Sequence, residues 1–318
     1  MRVGQNPAKQ LKVVSKPKRI TVAVLNYIPF LSGYYADMLD VLKTCLGSIW
    51  ENTDMPFDLL VFDNASCPEV RQYLVEKQSE GKIQYLILSE TNLGKGGAWN
   101  IIFDGSPGEI IAYSDNDCFY YPNWLSASLK ILESFPRVGM VTSRPVALNH
   151  TYNTQTLKWA ENEPEAQIER GHFLDWETFN SFEMSLGISE NEINRHFLAH
   201  EDIIVTYRGN KAYVGALHYQ FLAFKSVLKE FLPFEMDKPL GQVRQLDIRM
   251  NDAGYLRLMT PEPFMNNMSN QVPEWVSQKV SRQQSTKYKK FRLKNLRLIK
   301  WPLMRLYDWI FKIYWREQ

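Results

Sequence analysis

From residue 19 to about 143, short apolar runs alternate with amphipathic stretches. ITVAVL (20–25), FDLLVF (57–62), IQYLIL (83–88), EIIAYS (109–114) and VGMVTS (138–143) are six residues each, rich in β-branched and large apolar side chains. Such runs predict buried strands. The segments between them predict helices over 35–50, 68–78, 95–103 and 122–135. Strands alternating with helices of this length pack as a mostly parallel, Rossmann-like sheet flanked by helices, an α/β fold. Residues 144–215 are less regular and read as an insertion; a clear pattern resumes over 216–232 and ends near 270.

Each of the first four strands is followed by polar residues: Asn26 and Tyr27, Asp63 and Asn64, the stretch 91–95, and Asp115, Asn116 and Asp117. In an open parallel sheet the carboxyl ends share one edge, and ligands bind in the crevice there, so four polar clusters are expected to converge. In an extended segment Asp115 and Asp117 point the same way. Two carboxylates so placed can share a hard divalent cation, whose remaining oxygen ligands come from phosphate and water. The plainer alternative is a pair of solvated acids in a turn.

The chain has 318 residues, 45% hydrophobic and 23% charged, which is ordinary globular composition and excludes collagen, coiled-coil and disulfide scaffolds. A net charge of +2 conceals a segregation. Residues 1–19 carry six basic side chains and no acid; 20–275 carry 19 basic and 33 acidic; 276–318 carry 12 basic and two acidic. An acidic body with basic ends suggests an anionic partner for the ends. Three cysteines without a CxxC pair indicate reduced thiols, and no apolar signal core or run of about 20 apolar residues is seen. The expectation is a cytoplasmic protein.

The motifs VAVLNY, VFDNAS, TNLGKGGAWN and IIAYSDNDCFYYPNWL, in this order, resemble the nucleotide-sugar-binding half of glycosyltransferase family two, inverting enzymes of GT-A fold. The resemblance covers 19–143 well and 216–270 moderately. It implies that Asp63 receives the nucleobase of a UDP, GDP or dTDP sugar, flanked by Asn26 and Tyr27. Asn92, Gly94 and Lys95 would close over the nucleotide. Asp115 would lie near the ribose and a Mn²⁺ or Mg²⁺ ion, Asp117 would ligate that ion more directly, and Asn116 would sit between them. Asn267, where many members supply histidine, would be a weaker oxygen ligand. GKGG lacks the spacing of an NTPase phosphate loop.

Inversion needs a base for the acceptor hydroxyl. The segment QVRQLDIRMNDAGY resembles the family's acidic helix before AGY, with Asp247 expected as base, although Gln245 stands where an acid is common. A helix acid paired with Arg244 or Arg249 is the structural alternative, and Glu201 and Asp202 are the reserve candidates. His218 reads as packed near the acceptor pocket rather than catalytic. His196 and His200 lack the glutamate of a metal-binding HExxH. Trp99, Trp124 and Trp159 read as core.

The reading divides the chain into a basic segment over 1–18, a transferase domain over 19–270 (donor half 19–143, insertion 144–215, acceptor half 216–270) and a basic amphipathic helical tail over 271–318. Pro302 would start a helix to about 316 whose apolar face suits a bilayer interface, with nearby lysines and arginines on anionic lipid. The enzyme is expected to be peripheral on a cytosolic membrane face, its acceptor a lipid-linked or membrane-proximal glycan, with no nucleic acid partner. Alternatives are a nucleotidyltransferase and an inactive membrane-bound nucleotide-sugar-binding module.

Overall fold

The computed structural model describes residues 4–10, 12–148, 150–236 and 241–274, with single positions at 276, 305 and 309. The chain forms two compact units, Met1–Pro273 and Glu274–Gln318. The tail helix expected from Pro302 and the tail's basic residues fall outside the described residues, apart from positions 305 and 309. No helix among the described residues is long and apolar enough to cross a membrane.

The first half follows the predicted alternation. Its elements are β1 (Ile20–Asn26), α1 (Met38–Asn52), β2 (Phe57–Asn64), α2 (Pro68–Ser79), β3 (Tyr85–Ser89), α3 (Gly94–Gly105), β4 (Ile110–Asp115), the short β5 (Cys118–Tyr120), α4 (Trp124–Ser134) and β6 (Val138–Thr142). The central strands read as unbroken apolar runs because both faces are covered. Ile20, Val22 and Val24 of β1 enter one core, whereas Ala23 enters the other. Helix α1 buries Met38, Val41, Leu42, Cys45, Leu46 and Ile49, one stripe at helical spacing. Pro68 opens α2, where the missing N–H costs nothing.

The insertion is built of α5 (Thr154–Asn162), β7 (Ala166–Gly171), α6 (Trp176–Ser185), α7 (Glu190–Ala199), β8 (Asp202–Tyr207) and β9 (Asn210–Val214). There follow β10 (Gln220–Phe224), α8 (Lys225–Lys229), α9 (Gly241–Asp252), β11 (Leu256–Met259) and β12 (Met265–Asn267). The main sheet has ten strands in the order β3-β2-β1-β4-β10-β6-β11-β9-β8-β7, and β5 pairs with β12 beside it.

Two features depart from a wholly parallel sheet. Strand β10 runs antiparallel between β4 and β6, and the insertion extends the sheet as the antiparallel strands β7, β8 and β9. The direction of a short, fully buried strand such as QFLAF leaves no trace in its side-chain pattern, because both faces are apolar either way. One consequence matters for the site. An antiparallel β10 starts at the edge where the parallel strands end.

Candidate active site

The four polar clusters do meet at the carboxyl edge of the sheet. Parallel register places Asn26 of β1 beside Asp63 of β2, and Leu25 beside Asp115 of β4. Asn26 is fully buried and links three strand ends: its Nδ2 donates to Asp63 Oδ1 at 2.8 Å and to Ser66 Oγ at 2.9 Å, while its Oδ1 accepts from Asn116 Nδ2 at 2.7 Å. Asp63 is also fully buried. Its Oδ2 accepts from Ser66 N at 3.1 Å and from Arg71 Nε at 3.3 Å. Asn26 and Asn116 therefore brace the edge from within. Tyr27 is half-buried, edge-on to Tyr35 at 6.2 Å.

The 92–94 turn is clamped by a residue the motif reading left without a role. Asn64 Nδ2 donates to Asn92 Oδ1 at 2.9 Å, and its Oδ1 accepts from Leu93 N at 2.8 Å. Gly94 follows with φ +67°, the left-handed region that a side chain makes costly. That turn launches α3, and Lys95 in its first turn reaches back to Asp115.

Asp115 and Asp117 sit in different surroundings. Asp115 ends β4, and the chain turns through 116 and 117 into β5, so the two acids lie across a turn rather than along an extended strand. Asp115 Oδ2 accepts from Lys95 Nζ at 2.7 Å and Oδ1 accepts from Tyr113 OH at 2.6 Å. Tyr113, two residues back on the same face, is an unpredicted partner that period-two spacing could have flagged. Asp117 Oδ1 is buried with no protein partner. Burial and the nearby Asp115 charge push the Asp117 carboxyl up to about 7, against the opposing pull of Lys95.

Asn267 is brought beside this pair by the pairing of β12 with β5, in which it faces Cys118, while Met268 N donates to Asp117 O at 2.7 Å. The Asn267 side chain accepts from Ser269 N at 2.5 Å. Strand β12 is held by a second residue missed from sequence. Arg144, fully buried just past β6, donates to Asn266 Oδ1 and, at 2.8 Å, to Thr178 O.

The arrangement fits a hard cation. A buried carboxylate oxygen without a donor is costly, and a divalent ion supplies the missing positive charge. Among the described residues no group of three or more His, Cys, Asp or Glu side chains is arranged to hold a metal. A cation at Asp117 would thus draw on Asp115, Asn267 and oxygen atoms from outside the chain.

The acceptor-half residues fall otherwise than expected. Asp247 is buried, and it pairs with neither Arg244 nor Arg249: its Oδ1 lies 2.5 Å from Nη2 of the buried Arg257 on β11. Gln245 donates to Glu235 Oε2 at 3.3 Å. Asp202 opens β8, three strands across the sheet from β6, where its Oδ2 accepts from Phe173 N and Leu174 N, and Glu201 beside it pairs with Arg170 at 3.7 Å. Both reserve acids are engaged with partners in the insertion. His196 pairs with Glu183 and His200 with Asp202, so these histidines do not converge. Trp99 and Trp124 are fully buried, and Trp159 packs on Phe135 and Tyr207. All three cysteines are free.

Residues 34–191 match the model of the family described as Glycosyl transferase family 2, a span that runs through much of the insertion and stops short of 216–270. An uncharacterized glycosyltransferase of Nostoc sp. is 23% identical over 100 residues, 31% of this chain and 31% of that protein. Among solved structures, the mannosyltransferase PcManGT of Pyrobaculum calidifontis, in complex with GDP-Man and Mn²⁺, is 18% identical with a TM-score of 0.45 over 78% of this chain and 55% of that one. GalNAc-T7 with UDP, GalNAc and Mn²⁺ is 12% identical with a TM-score of 0.49, over 78% of this chain and 42% of that one. The chain thus spans about a third of the curated relative and about half of these structures.

Proposed function

We propose, from the match of residues 34–191 to the Glycosyl transferase family 2 model, that this chain is a metal-dependent inverting glycosyltransferase moving a sugar from a nucleoside diphosphate donor to an acceptor hydroxyl. The observation that carries the reading is the unequal pair at the sheet edge: Asp115 held by Lys95 and Tyr113, and Asp117 with a buried oxygen that no protein group meets. Asp117, Asp115 and Asn267 would hold Mn²⁺ or Mg²⁺. When bound, such an ion neutralises the charge gathering on a departing diphosphate.

The chain's own residues fit the rest of a donor site. The turn over 92–94, clamped by Asn64, overlooks the same edge. Asp63 stands at the end of the neighbouring strand, with Arg71 as its movable partner. Arg71 is the more exposed of that pair, at 23% against 0%, and it also reaches Glu90 and Ser89 O. A nucleobase competing for Asp63 would displace a guanidinium that has other acceptors nearby. On this reading Asn26 and Asn116 act by holding the edge together, and Tyr27 faces the base. The acceptor is read as a lipid-linked or membrane-proximal glycan on a cytosolic membrane face, from the basic tail of 276–318.

The test is donor turnover by the full chain with a panel of UDP-, GDP- and dTDP-linked hexoses and Mn²⁺ or Mg²⁺, with water or lipid extract as acceptor. Turnover that vanishes in Asp117→Ala supports the reading. Donor binding without turnover would favour the inactive binding module, and no binding of any nucleotide sugar would end the transferase reading.

A further inference from the structure

Arg257, Asp247 and His218, on β11, on α9 and in the turn before β10, form a chain of polar contacts that leads from the core to the sheet's carboxyl edge. Arg257 on β11 is buried, with a side chain only 3% exposed. Its Nη1 donates to Tyr152 O at 2.9 Å and Asn153 Oδ1 at 3.0 Å, and its Nη2 to Ala216 O at 2.8 Å and Asp247 Oδ1. Asp247 on α9 is 10% exposed. Its second oxygen, Oδ2, lies 3.5 Å from Nδ1 of His218, whose side chain is 36% exposed. Solvent access thus grows stepwise from guanidinium to carboxylate to imidazole.

The position of His218 follows from the strand that reverses the sheet. Antiparallel β10 begins at the carboxyl edge, with Gln220 opposite Ser114, and Asp115 N donates to Tyr219 O at 2.8 Å. His218 is therefore the residue next to the one that pairs with Asp115. Asp247 is poorly suited to be the base itself. One of its oxygens is committed to a buried guanidinium, and proton transfer to it would break that ion pair in a low-dielectric setting. A carboxylate fixed in this way can instead orient an imidazole whose Nδ1 faces it across 3.5 Å, which favours the tautomer with its proton on Nδ1 and leaves Nε2 to present its lone pair.

We propose that His218 is the general base toward the acceptor hydroxyl, with Asp247 as its positioning residue and Arg257 as the anchor of Asp247. The proposal rests on the transferase reading above. In the step, the acceptor O–H proton passes to His218 Nε2 and the freed oxygen pair bonds to the anomeric carbon. The bond from that carbon to the diphosphate oxygen breaks, and its electron pair leaves with the nucleoside diphosphate. The imidazolium then returns its proton to solvent. The histidine that sequence places among packing residues becomes a catalytic residue.

The experiment uses the full chain and the nucleotide sugar from the panel that the wild type turns over best, with water and lipid extract as acceptors. Transfer by His218→Ala is expected to fall by roughly 10²–10⁴-fold, while binding of the matching nucleoside diphosphate with Mn²⁺ stays at the wild-type level and added imidazole restores part of the rate. Asp247→Asn should lower kcat with KM for the donor unchanged. His218→Ala retaining full transfer, or losing it with no response to imidazole while still binding nucleotide, overturns the base assignment and leaves the transferase reading standing. A wild type that turns over no donor overturns both.

Discussion

Lys95 Nζ lies 2.7 Å from Asp115 Oδ2, and this contact joins the first turn of α3 to the end of β4. The Lys95 ammonium is also within 5.5 Å of the ring centres of Trp99 and Tyr113, so the cation rests on an aromatic floor. Without it, Asp115 and Asp117 would face each other across a turn with no positive charge between them. Replacing Lys95 by Met is expected to cost the metal-free protein roughly 1–3 kcal/mol. Millimolar Mn²⁺ should recover more of the loss than it adds to wild type. Urea denaturation with and without the ion measures both.

Asp117 makes the pH dependence of the metal-free chain predictable in sign. Its carboxyl, pushed up to about 7, holds a proton more tightly in the folded chain than in the unfolded one, where 3.8 is ordinary. Above pH 7 the folded state carries the cost of a buried charge. The cost is relieved as pH falls through 7 and is gone near pH 4. Wild-type stability should therefore rise from pH 8 to pH 5.5. Asp117→Asn should be more stable than wild type at pH 8 by roughly 1–3 kcal/mol, should lack this rise, and should lose the stabilisation by Mn²⁺. Paired denaturation curves at the two pH values decide it.

Asn26 makes three buried side-chain hydrogen bonds that join β1 to the ends of β2 and β4. Asn26→Ala leaves Asp63 and Asn116 each short of a partner in the interior. A loss of roughly 2–4 kcal/mol is expected, with reduced nucleotide affinity in whatever fraction stays folded. Calorimetric unfolding and nucleotide titration on the same sample separate the two effects.

The Arg257–Asp247 ion pair invites a double-mutant cycle. Arg257→Met alone strands a buried carboxylate and should cost roughly 3–5 kcal/mol. Combining it with Asp247→Leu should cost less than the sum of the two single changes. Additive losses would show that the two groups are not coupled.

Much of the donor half was legible in the sequence. Buried strands advertise themselves as apolar runs, and parallel strands must end at one edge, so Asn26, Asp63 and Asp115 could be grouped before any coordinates. The turn through 116 and 117 was not legible, because a polar tripeptide after a strand fits a turn and a strand extension equally well. Tyr113, two residues before Asp115 on one strand, was within reach of period-two spacing, whereas the partners Asn64 and Arg71 became visible only when neighbouring strand and helix ends were brought together in space.

The acceptor half shows the limit more sharply. Asp247 drew attention through its place before Ala253, Gly254 and Tyr255, and the pattern offered only helix neighbours, Arg244 and Arg249, as partners. The partner is Arg257, ten residues on and across a turn, and His218 comes from a distant segment.

By itself the sequence determined the α/β alternation, the shared polar edge and the carboxylate pair, because periodicity and strand-end chemistry are local properties of the chain. The tertiary structure decided which acid is compensated, where β10 reverses direction, and that Asp247 is anchored to Arg257 and faces His218. Those are questions of which charges meet out of water, and residues far apart in sequence meet only when the chain is packed.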